Sequence, residues 1–168
     1  MSIPQQGGGP IERREQLAEY IASGEKPRED WRIGTEHEKF VFFTADNSPV
    51  PYSGTASISA LLNGMQAKTG WEPIMDAGNI IGLAEPSGMG AISLEPGGSP
   101  KWSFGETPRM PKSRYDIMTR YMPKVGSQGL DMMYRTCTIQ VNLDFSSETD
   151  MRRKMQVSLK LQSMATAL

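Results

Sequence analysis

The sequence predicts an α+β fold built on a mostly antiparallel sheet. Three observations lead there. Residues 132–145 alternate strictly: Met133, Cys137, Ile139, Val141, Leu143 and Phe145 are apolar, with Arg135 the exception. Thr136, Thr138, Gln140, Asn142 and Asp144 occupy the positions between them, the period-2 signature of a strand with one face on a core. Residues 80–85 and 91–95 form a second signature, two apolar runs joined by Pro86-Ser87-Gly88-Met89-Gly90, a loop of turn formers. Helical stretches lie among the strands without the regular spacing of βαβ units.

Taken in order, residues 1–10 read as a flexible polar tail. Residues 11–23 carry Leu17, Ala18 and Ile21 at helical spacing, and Gly24 stands where a helix stops. A charged linker, 25–30, follows. Residues 31–43 are rich in β-branched and aromatic side chains and predict one strand. After a loop at 46–54, residues 57–68 predict a short helix with Ile58, Leu61, Leu62 and Met65 on one face. Residues 71–75 predict a short strand. Pro96-Gly97-Gly98-Ser99-Pro100 breaks the chain. Residues 112–122 predict a helix that Pro111 introduces and Pro123 ends. Ser147-Glu148-Thr149-Asp150 resembles a capping box and starts a last helix that runs to Leu168 with no stop signal.

The composition excludes several functions. The 168 residues suit one domain. With 18 Lys and Arg against 19 Asp and Glu, the net charge is −1, which argues against nucleic acid held by a basic surface. One cysteine, Cys137, rules out an intrachain disulfide, and one histidine, His37, rules out zinc sites built on His clusters. There is no P-loop motif. No apolar run is long enough for a membrane span and no apolar leader precedes the chain, so the expected compartment is the cytoplasm.

Three stretches can carry chemistry. On a strand, Glu36 and Glu38 project to one face, and two such carboxylates repel unless a proton or cation lies between them. A hard divalent ion such as Mg²⁺ meets that need with oxygen ligands; the alternative is a charged stripe facing solvent. Glu95 ends a strand beside Gly97-Gly98, where the backbone can approach a ligand, or simply turns. The polar face of 132–145 offers Thr138, Gln140 and Asn142 as uncharged donors and acceptors, with Arg135 able to grip a carboxylate or phosphate. The alternative there is a sheet face that meets only water. No side chain stands out as a nucleophile or general base.

Four stretches together closely resemble the glutamate–cysteine ligases of the plant and proteobacterial type. They are Arg32-Ile33-Gly34-Thr35-Glu36-His37-Glu38-Lys39-Phe40, Ala91-Ile92-Ser93-Leu94-Glu95-Pro96-Gly97-Gly98, the run from Met110 to Met118, and the run from Met133 to Phe145. The resemblance implies a curved, mostly antiparallel sheet of the glutamine-synthetase-like kind, here incomplete. It implies ATP- and Mg²⁺-dependent ligation of the γ-carboxyl of L-glutamate to L-cysteine, the first step of glutathione biosynthesis, through an acyl phosphate. It further implies Glu36, Glu38 and Glu95 as metal ligands and Arg135, Thr138, Gln140 and Asn142 as substrate-binding residues.

The chain departs from the family pattern after Gly98, where Ser99-Pro100-Lys101-Trp102 follows at once and several tens of residues are missing. Residues 11–168 therefore read as a partial N-terminal portion of the catalytic domain with a deletion at 98/99. Such a chain is expected to be a poor catalyst. Two other readings stand beside this one: a non-catalytic fragment that binds glutamate, metal or a full-length partner, and another carboxylate–amine ligase of the same fold.

Overall fold

A computed structural model describes residues 9–96 and 102–167. The expected tail at 1–10 lies almost wholly outside the described residues, as do Gly97, Gly98 and the expected deletion point. The described chain divides into two compact units, one of residues 37–139 and the other of 9–36 with 140–167. The mixture of helices and antiparallel strand pairs is that of an α+β protein.

The first unit holds the core. Helix α2 (Ile58–Thr69) starts where the Ser57 hydroxyl accepts the Ala60 N–H at 3.1 Å, and it stops at Gly70, whose left-handed φ of 71° suits a residue without Cβ. Its face buries Ile58 and Leu62 against a three-stranded antiparallel sheet. That sheet comprises β3 (Glu72–Asp76), β4 (Asn79–Ala84) and β5 (Ala91–Ile92), in that order. Ala77 and Gly78, both at positive φ, make the two-residue turn from β3 to β4. The loop from β4 to β5 closes around the Glu85 carboxylate, which accepts from the Ser87 hydroxyl and from the Ser87 and Met89 N–H groups.

Helix α3 (Ser113–Val125) begins without a cap from its own chain neighbours. Asp76, at the end of β3, supplies one: Oδ2 accepts the Ser113 N–H at 2.8 Å and Oδ1 accepts the Ser113 hydroxyl at 2.6 Å. The Ser113 hydroxyl first, and its N–H second, hold the Asp76 carboxyl below the usual range. We therefore expect Asp76→Ala to lose about 1 kcal/mol near neutral pH, read by urea denaturation. A carboxyl with a lowered folded-state pKa stabilises above its unfolded value of about 4 and loses that contribution as pH falls through the folded value. The difference between wild type and variant should close on acidification, and a gap that persists at low pH would remove the carboxylate from the cap.

Three expectations need correction. Residues 31–43 form two strands, β1 (Ile33–His37) and β2 (Phe40–Val41), because the two pair with different partners: β1 with β7 (Ile139–Leu143), β2 in parallel with β6 (Glu95–Pro96). Helix α3 runs past Pro123, since a proline in the last turn forfeits one hydrogen bond and the Gly126 N–H still reaches the Met122 carbonyl at 3.1 Å. The long alternating strand is only its second half. Residues 129–135 are helix α4 (Gly129–Arg135), which buries Tyr134 edge-on to Tyr115 at 5.5 Å. The Thr136 hydroxyl ends that helix on the Met132 carbonyl at 2.7 Å. All five residues of β7 are exposed, so neither of its faces packs on a core. Among the described residues the strands make three small sheets in place of one curved sheet.

In the second unit, α1 (Glu15–Ala22) and α5 (Glu148–Ala167) are helices as expected, and the Ser147 hydroxyl accepts the Asp150 N–H at the start of α5. Among the described residues no helix is long and apolar enough to cross a membrane.

Candidate functional site

In the second unit, Glu36 sits half-buried on β1, and its Oε1 accepts from Asn142 Nδ2 at 3.0 Å. Gly34 permits this closeness, because a Cβ there would stand 3.3 Å from that of Asn142. Gln140 lies on β7, exposed. Just past the end of β7, Asp144 accepts from Lys26 Nζ at 2.9 Å and from the Arg32 N–H at 2.8 Å. The Lys26 ammonium first, then the Arg32 N–H, keep the Asp144 carboxyl below the usual range. Lys154 is tied in as well. Its Nζ donates to the Asp144 carbonyl and to Asp150 Oδ2, each at 2.7 Å, and lies 3.4 Å from the centre of the Trp31 ring.

In the first unit, Glu38 follows β1 directly. Its Oε2 accepts the Thr138 N–H at 2.9 Å and the Thr138 hydroxyl at 3.0 Å, and the Glu38 N–H reaches the Thr138 carbonyl at 3.0 Å. Arg135 ends α4, one turn from Asp131, to which it donates at 2.8 Å. It does not lie on β7 with Gln140 and Asn142, since the chain is helical up to it. Cys137 is a free, exposed thiol.

Glu95 lies on β6 and is ion-paired to Lys112, whose Nζ also donates to Ser93 Oγ at 3.2 Å. Lys112 is buried, with 5% of its side chain exposed. Burial, and next the Glu95 carboxylate, push the Tyr115 phenol far above its ordinary value. Sequence reading missed the roles of Lys112 and Tyr115, although both stand in the Met110–Met118 stretch that carries part of the resemblance.

The structure thus brings Glu36 to Asn142 and Glu38 to Thr138, each a carboxylate with an uncharged donor. Among the described residues no group of three or more His, Cys, Asp or Glu is placed to hold a metal ion.

Residues 79–168 match the family model of glutamate-cysteine ligase family 2. The chain is 45% identical to the chloroplastic glutamate–cysteine ligase of Nicotiana tabacum, over 92% of this chain and 37% of that protein. It is 44% identical to the chloroplastic enzyme of Medicago truncatula, over 92% and 38%, and 43% identical to the chloroplastic glutamate–cysteine ligase A of Oryza sativa subsp. japonica, over 92% and 39%. The chain spans less than two-fifths of the length of these curated relatives. Their chloroplastic names overturn the expected cytoplasmic compartment. That expectation rests on the lack of an apolar leader, and plastid transit peptides are amphipathic and rich in Ser and Arg, so an apolar run is not their mark.

Proposed function

The chain belongs to glutamate-cysteine ligase family 2, and from that premise we propose that it takes part in joining the γ-carboxyl of L-glutamate to the amine of L-cysteine with ATP, in glutathione biosynthesis. The observation that supports this reading is the family match over 79–168 together with 43–45% identity across 92% of the chain. The γ-carboxylate attacks the terminal phosphorus of ATP and ADP departs, leaving an acyl phosphate. The cysteine amine then adds to the acyl carbon, phosphate departs and the amine loses a proton. Neither step needs a protein nucleophile.

Thr138, Gln140 and Asn142 are proposed to meet the polar groups of the substrates, with Arg135 toward an anionic group. Glu36 and Glu38 are proposed to hold Mg²⁺, whose charge would offset that of the phosphate and carboxylate that meet in the reaction. A glutamine-synthetase-like sheet and a plastid compartment belong to the same reading. The alignment with the tobacco relative is 197 positions long, longer than the whole chain although it uses 92% of it. Several tens of the relative's positions therefore have no counterpart here, which supports a gap after Gly98.

A weak or inactive isolated chain belongs to the same reading. We expect no ATP- and cysteine-dependent γ-glutamylcysteine above background from the purified 168-residue chain, with the tobacco relative as the positive control. Turnover comparable to that control would sink the inactivity. The ligase reading is tested separately by NMR, where L-glutamate at millimolar concentration should shift the amides of residues 138–142. No shift with glutamate or ATP would remove that reading from this chain.

A further inference from the structure

We infer that in this chain Glu95 is the counter-ion of Lys112 and not a ligand for a divalent cation, and that Lys112 acts through it as a positioning residue for the strand pair next to Glu38. The inference rests on the geometry of residues 93–115 and stands apart from the proposed reaction.

An ammonium removed from water needs a counter-charge and further acceptors. Lys112 has both: the Glu95 carboxylate, and Ser93 Oγ at 3.2 Å. The Tyr115 ring adds its face at 5.2 Å. The lysine is fixed from behind, because the next residue, Ser113, is clamped by Asp76. The other charges facing this group are Asp76, which acts on Lys112, and Arg114, whose guanidinium lies 5.3 Å from the Tyr115 ring. A divalent ion on Glu95 would compete with the buried ammonium for one carboxylate, and Lys112 would lose the charge that makes its burial tolerable.

The pair also reaches toward Glu38. Glu95 stands opposite Phe40 in the parallel pairing of β6 with β2, two residues beyond Glu38. Lys112 thus anchors the short strand against which the chain after Glu38 is laid. The two-residue pairing is too short to hold by itself.

The test combines thermal unfolding with a metal probe. Lys112→Met and Glu95→Gln should each lower Tm by roughly 10 °C, and the double variant should lose clearly less than the two together, as coupled partners do. Additive losses would overturn the pairing. Mn²⁺ titrated into the labelled wild-type chain should leave the amides of Ser93, Leu94 and Glu95 no more broadened than those beside other exposed carboxylates. Selective broadening there, abolished in Glu95→Gln, would make Glu95 a metal ligand and defeat the inference. If a variant fails to fold, the wild-type Mn²⁺ measurement decides alone.

Discussion

Replacing Leu83 with alanine is expected to remove about 2–5 kcal/mol of stability. Leu83 is 0% exposed in the middle of β4, paired with Pro73 on one side and Ile92 on the other. It belongs to the core cluster with Ile58, Leu62, Ile74, Ile81 and Met110. The cavity left by alanine has little freedom to collapse. The neighbouring Gly82 already brings the backbones together, for a Cβ on it would lie 2.6 Å from the Ile92 carbonyl oxygen. The strands therefore cannot slide inward to fill the space. A domain holds only about 5–15 kcal/mol in all, so this change alone brings the first unit near unfolding. Urea denaturation followed by circular dichroism reads the loss. The control is Leu61→Ala on the exposed side of α2, where a change within about 0.5 kcal/mol is expected. Equal losses at Leu61 and Leu83 would mean that the core is not where the packing places it.

The elements that were legible in the sequence are those that local signals determine. The apolar face of 57–68 marks α2, the turn formers at 86–90 set the β4–β5 loop, and Ser147 starts α5. What was not legible depends on partners far along the chain. Residues 132–135 read as part of one alternating strand, and what makes them helical is the packing of Tyr134 on Phe104 and Tyr115. Residues 31–43 look uniform, yet they serve two sheets with different neighbours. The candidate site behaves in the same way. The residues themselves, Glu36, Glu38, Thr138 and Asn142, stand out by type and spacing. That Thr138 faces Glu38, and Asn142 faces Glu36, comes from contacts across about a hundred residues, which no periodicity encodes. A buried lysine carries no local signature at all, so the role of Lys112 emerges only from the fold.

Backbone amides of β7 beyond Ile139 and of α5 are expected to exchange with solvent at least about 100-fold faster than those of β4 and α2. None of the described residues in 9–36 and 140–167 is buried. Val141 and Leu143 on β7, and Met155, Leu159, Leu161 and Met164 on α5, are all exposed. Opening this unit therefore exposes little apolar surface that is not already wet, and the hydrophobic term that resists unfolding is correspondingly small. What remains is polar: the Lys154 ammonium over Trp31 and between Asp144 and Asp150, with Lys26 on Asp144. A cation over an indole contributes about 0.5–2 kcal/mol, and the exposed ion pairs add less. Lys154→Gln should therefore speed exchange throughout α5 while leaving the amides of β4 unchanged. Hydrogen exchange followed by mass spectrometry or NMR separates the two units in one experiment. Protection of α5 equal to that of β4 would show that this unit has an apolar cover in solution, and the exposed faces of β7 and α5 would then be where it sits.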